Sequence, residues 1–155
     1  MPIVVSIDVN KQFEVICAYD KVFDTLANVP VSASFFPKVR NLEDLGDGVY
    51  KWEMEKIGVD RYFIQTIYAC KYTSNKADGW VRWEPISGIG NGVVSGAWNF
   101  TQVAPERILI NFSVKGALTI PLPRLLKILI APVVSLTFQN MISRYHKNLR
   151  EFFNQ

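Results

Sequence analysis

The sequence offers little from which catalysis could be built: one histidine, two cysteines and a modest set of acids and bases in 155 residues. A Ser or Cys nucleophile needs a base within hydrogen-bond reach and a third group that orients the base. His146 stands in the polar-leaning end of the chain and reads as a surface histidine, so no Ser/His/Asp or Cys/His set can be assembled around it. Cys17 and Cys70 lie in apolar, strand-like contexts with no histidine or further cysteine beside them. That spacing does not make a metal site; free buried thiols are expected, with a disulfide as the alternative. Glu53, Glu55 and Glu84 fall on outward registers and form no paired-carboxylate site. Gly88-Ile89-Gly90-Asn91-Gly92 has the glycine content of a phosphate-cradling loop, but it does not join a strand to a helix and reads as a hairpin loop. No catalytic residue, metal or cofactor is expected.

What the sequence does offer is binding chemistry. Aromatic residues make up 13% of the chain, with four Trp and ten Phe. Alternation puts Tyr50, Trp52, Tyr62 and Tyr68 on the inner face of successive strands, and Trp83, Trp98, Phe100 and Phe112 on the same face further on. For each, core packing and ligand contact both remain open. Together they make a wall suited to a flat or apolar molecule, and several carry polar tips that orient one. Thr66 on that face is a polar contact of the same kind, as are Thr137 and Asn140 on the helix that follows. Arg82 alternates with Trp83 and so points outward.

These side chains must be held by strands and one helix. Ile3, Val5, Ile7 and Val9 alternate with polar neighbours; a bulge is expected at Asn10-Lys11-Gln12, and Phe13, Val15 and Cys17 resume the strand. Asp20 is placed to cap a short helix, and Pro30 and Pro37 bracket a second, roughly Val31 to Phe36. Strands then follow in a meander: Val39–Leu45, Tyr50–Met54 after an Asp47-Gly48 turn, Tyr62–Cys70 after Gly58-Val59-Asp60, then strands around Trp83, Trp98 and Phe112. Hairpin-sized links force antiparallel pairing. The chain closes with a helix from Leu122 to Phe153, amphipathic in its second half and apolar on nearly every side in its first. Arg124 and Lys127 flank that first half. Burial under the short helices would explain it; so would a rim that meets membranes. The window Leu118–Phe138 is apolar, yet Arg124, Lys127 and three prolines argue against its spanning a bilayer.

At this length one domain, 1–155, is expected. A net charge of +3 with no basic run among aromatics excludes a nucleic-acid surface. No signal peptide is expected, so the default location is cytoplasmic; the oligomeric state is open, with a monomer expected.

The sequence resembles the START-like, helix-grip (SRPBCC) superfamily, which includes polyketide cyclase/dehydrase and lipid-transport proteins and the birch-pollen allergen relatives. The likeness is carried by Ala18–Leu26, Phe35-Phe36-Pro37-Lys38-Val39, Leu45–Tyr50, Gly92–Trp98 and the closing Asn148–Phe153. It implies an α+β helix-grip fold: a curved antiparallel sheet of about seven strands wrapped around the long C-terminal helix, with two short helices after the first strand. It also implies an apolar cavity between sheet and helix, which predicts hydrophobic ligand binding better than any one reaction. The expected ligand contacts are the aromatics above with Thr66, Val133, Thr137, Asn140 and Met141. The expected entrance is Phe35, Phe36, Leu126, Leu129 and Ile130, where the short helices lie against the long one and where transient membrane contact would fall. The expected partner is a hydrophobic small molecule: lipid, sterol, quinone or polyketide-like compound. Aromatase/cyclases of the superfamily use pocket Arg, Tyr and Trp, which makes a polyketide aromatase/cyclase or dehydrase the alternative, with Arg82 as its candidate group. A protein-interaction module with a self-filled cavity is a second alternative.

Overall fold

Alternation carries straight through Asn10-Lys11-Gln12. In a computed structural model describing residues 2–155, β1 (Ile3–Ile16) is unbroken and pairs in regular register with β9 (Arg107–Ile120), from Ile3 opposite Ile120 to Ile16 opposite Arg107. The expected bulge is absent. Lys11 takes its turn on the inner register, opposite Phe112, and as an edge-strand residue it still reaches water.

After β1 come α1 (Tyr19–Ala27) and α2 (Val29–Ala33). Asp20 lies within the first turn of α1 rather than at its cap, which is Ala18; its carboxylate and that of Asp24 pair instead with Lys76 at 3.4 and 3.0 Å. The second helix starts earlier than Val31, because Asn28 caps it by accepting from the Val31 amide at 3.2 Å. The hairpin β2 (Val39–Gly46) to β3 (Val49–Met54) turns on Asp47 and Gly48, whose φ of 53° and 78° give the doubly left-handed turn that matches strand twist.

The strand expected over Tyr62–Cys70 is two strands. β4 (Ile57–Val59) and β5 (Tyr62–Ile64) form a separate small hairpin turning at Asp60, and β6 (Ile67–Asn75) rejoins the main sheet. The interruption has a polar cause: Asn91 donates to the Gln65 carbonyl at 2.8 Å and accepts from the Ile67 amide at 2.9 Å, taking the backbone groups a continuous ladder would have used. β7 (Trp80–Pro85) and β8 (Gly92–Ala104) complete an antiparallel seven-stranded sheet in the order β1-β9-β8-β7-β6-β3-β2.

A 3-10 turn at Arg124–Leu126 leads into α3 (Lys127–Phe153), which lies in the grip of the sheet. Its buried side is Ile130, Val134, Met141, Ile142, Tyr145, His146, Leu149 and Phe153. The C-terminal half is tied by polar contacts as well: Tyr145 to Ser32, Asn148 donating to the Phe35 carbonyl at 2.9 Å, and Asn154 accepting from the Ile16 amide at 2.8 Å. The N-terminal half rests on an apolar cluster in which Ile130 and Val134 meet Ile3, Val5, Val59 and Ile64.

Candidate functional site

Between α3 and the concave face of the sheet lies an apolar cavity of about 100 Å³, enough for several waters or a compact ring. Strand alternation brings Trp52, Tyr68, Tyr72, Trp83, Trp98 and Phe112 to its walls; Val134, Phe138, Ile142 and Tyr145 of α3 and Phe36 close it from the other side. The rings brace one another. Trp52 stacks on Tyr68 with centroids 5.9 Å apart, and Trp98 packs against Phe112 at 4.6 Å and Tyr145 at 5.8 Å. Gly96 makes room for Trp83: a Cβ there would overlap the indole and lie 2.5 Å from the Ser113 carbonyl oxygen.

Polar groups on this wall are few and neutral. Tyr72 accepts from the Trp52 indole at 3.0 Å, and the Ser32 and Tyr145 hydroxyls hydrogen-bond to each other. Burial raises the phenols of Tyr68, Tyr72 and Tyr145 above their ordinary range. The Cys70 thiol, donating to the Val94 carbonyl at 3.2 Å, is pushed up to about 12 by burial. Cys17 and Cys70 are both free. Thr66 is 4% exposed, lines the cavity, and its hydroxyl has no partner. No carboxylate, lysine, arginine or histidine lies among the described lining residues.

Of the residues expected to contact ligand, the structure gathers Trp52, Thr66, Tyr68, Trp83, Trp98 and Phe112 around this one space. It places the others elsewhere. Tyr50 packs edge-on against Tyr72 and borders a polar depression of about 500 Å³ that shares Val29, Tyr72 and Val81 with the cavity wall. Tyr62, on the β4–β5 hairpin, packs beside the N-terminal half of α3, with Arg61 over its ring. Phe100 is core beneath α1, edge-on to Phe23 at 5.9 Å. On α3, Val133 and Asn140 face solvent, Thr137 is half-buried off the lining, and Met141 packs with Trp52, Met54 and Val29. The residues that face the cavity are their neighbours Val134, Phe138 and Ile142, one helical step round. Among the entrance residues, Phe36 lines the cavity and Phe35 packs on Phe152 at 4.9 Å. Ile130 is fully buried, Leu126 half-buried and Leu129 exposed.

Tyr72 was legible and missed: it continues the parity of Tyr68 and Cys70. Ser32 and Tyr145 had no such signal as a pair, since 113 residues separate them. His146 is a correction. It is not a surface residue but 6% exposed, wedged between Phe13, Trp98 and Phe112 with its Nε2 unpartnered. Burial, with Arg150 and Lys11 nearby, pulls its pKa down to about 4. Arg82 is exposed as expected, its guanidinium 3.9 Å from the centre of the Trp80 ring.

No protein-family model matches the chain, and no curated protein matches it by sequence. Solved structures do. A START superfamily protein from Mycobacterium smegmatis superposes with a TM-score of 0.66 at 12% identity, over 94% of this chain and 96% of that one. An aromatase/cyclase from a Streptomyces species gives 0.62 at 15% identity over 94% and 90%. A conserved protein from Geobacillus kaustophilus gives 0.67 at 15% identity over 95% of each. The chain therefore has the START-like helix-grip fold, α+β with one long helix held by a seven-stranded antiparallel sheet.

Proposed function

We propose that residues 1–155 form one ligand-binding domain that holds, and transfers by transient contact with a lipid surface, a hydrophobic small molecule in the cavity between sheet and helix. The observation that carries this reading is the cavity wall: mutually braced aromatic rings, no charged group among the described lining residues, and one buried hydroxyl, Thr66, left without a partner. A wall of that kind recognises an apolar body with a single polar group. At about 100 Å³ the space as it stands takes a compact ring; a sterol, quinone or polyketide-like occupant requires Phe36 and the helix side of the wall to move outward. The aromatase/cyclase reading draws on the Streptomyces neighbour, but here the wall's titratable groups are phenols raised by burial, and Arg82 is outside. General acid–base work calls for a group poised near neutral pH. Binding is thus the better-supported activity.

The test is native mass spectrometry of detergent-free protein incubated with a total lipid extract. Wild type should carry small-molecule adducts. Val94→Phe, which fills the void from β8, should lose them while keeping its far-UV circular dichroism. Equal adduct formation by a folded Val94→Phe protein would place binding outside the cavity.

A further inference from the structure

The outward face of α3 changes character halfway along. From Gln139 onward it presents Gln139, Asn140, Ser143, Arg144 and Lys147, all exposed. One to three turns earlier, at the same helical angle, it presents Ile128, Leu129, Val133 and Leu136, with Leu125 just ahead of the helix. Leu125 is 92% and Ile128 89% exposed. Single apolar residues on a surface are ordinary; a contiguous set marks a docking face.

The charge along this segment points to what it meets. Between Glu106 and Glu151 the sequence contains no Asp or Glu, and Arg124 and Lys127 flank the apolar turns. Cations at the start of a helix oppose its dipole, and here the first turn has neither an acid nor a side-chain cap to offset them. A lipid phosphate would satisfy both cations.

We propose that this face docks the protein on an anionic bilayer, with Leu125, Ile128 and Leu129 entering the interface and Arg124 and Lys127 meeting lipid phosphates. The proposal deepens the binding-and-transfer reading, since Val134 and Phe138 on the inner side of the same turns wall the cavity. Its geometry does not depend on that reading.

The experiment is flotation with phosphatidylcholine vesicles, plain or half phosphatidylglycerol. The set is wild type, Leu125→Glu with Ile128→Glu, Arg124→Glu with Lys127→Glu, and Thr101→Glu on the far side of the sheet as a control. Wild type and the control should float with the anionic vesicles and much less with the neutral ones. Each double variant should lose at least about tenfold in apparent affinity, and high salt should weaken wild type. Vesicle-free titration with 2-naphthol, read by tryptophan emission, should be unchanged in the Leu125/Ile128 variant. If naphthol fails to bind but flotation behaves as stated, the cavity reading falls and the docking face stands. Equal flotation of all variants, or none by wild type, overturns the proposal. So does a wild-type dimer that the Leu125/Ile128 variant converts to monomer without any vesicle binding, since the patch is then a contact between copies.

Discussion

Burying His146 beneath Phe13, Trp98 and Phe112 couples stability to pH. Unfolded, the imidazole titrates near its ordinary 6.5; folded, at about 4. Between those values the unfolded chain binds a proton that the native state excludes. This contribution is therefore complete above about pH 6.5 and is lost as pH falls toward 4, by up to about 3 kcal/mol. Lys11 and Arg150, the cations nearest the ring, act in the same direction. Urea melts of wild type and His146→Phe across that window should show the variant's stability flattened; parallel curves would mean another group titrates. Thr66 makes a second residue-scale prediction. An unpartnered buried hydroxyl costs on the order of 1 kcal/mol or more, so Thr66→Val should stabilise the empty protein by about that amount. The same change should remove the preference for 2-naphthol over naphthalene. A variant that is destabilised, or that still prefers the naphthol, would show that the hydroxyl does not address the cavity.

At the scale of elements, α3 is one helix with two kinds of anchorage. Its C-terminal half combines a buried stripe with hydrogen bonds from Tyr145, Asn148 and Asn154 to three other segments. Its N-terminal half rests on apolar contacts, begins without a side-chain cap and contains Pro132, which removes a backbone donor. Hydrogen exchange should therefore find the amides of 127–134 less protected than those of 141–152, by about tenfold or more. Uniform protection along α3 would show that the apolar cluster alone holds the first turns as firmly. Leu126, half-buried in that cluster, is a poor site for probing exchange with membranes. A charge there would strain the core, whereas Leu125 and Ile128 beside it take one in solvent.

At the scale of the whole molecule, the proposed binding is linked to folding. A compound that binds only the native state adds about 2.7 kcal/mol at a hundredfold excess over its Kd, which raises Tm by roughly 5–10 °C for a chain of this size. Calorimetry with 2-naphthol should show that rise in wild type and none in Val94→Phe. A rise of equal size in both would separate binding from the cavity. Because Ser32 on α2 and Tyr145 on α3 share a hydrogen bond at the cavity wall, a larger occupant must shift α2 with the helix it is tied to.

Much of this was legible in the sequence because strand alternation has a period of two, and errors in it do not accumulate. Trp52, Tyr68, Trp83, Trp98 and Phe112 were placed on one face by parity, and the sheet brings them together. The Asp47-Gly48 turn and the antiparallel order followed from loop lengths and left-handed residues. The tertiary structure alone decided the rest. A helix segment apolar on every side carries no signal for which side faces the sheet, so Val133 could not be told from Val134, one residue and about 100° further round. His146 read as surface because its neighbours Arg144 and Lys147 are, while Phe13 and Phe112, which bury it, are remote in sequence. The break at Gln65-Thr66 depends on Asn91, 26 residues from the carbonyl it binds. What alternation within one element encodes can be read locally; what a distant side chain supplies exists only once the chain has folded.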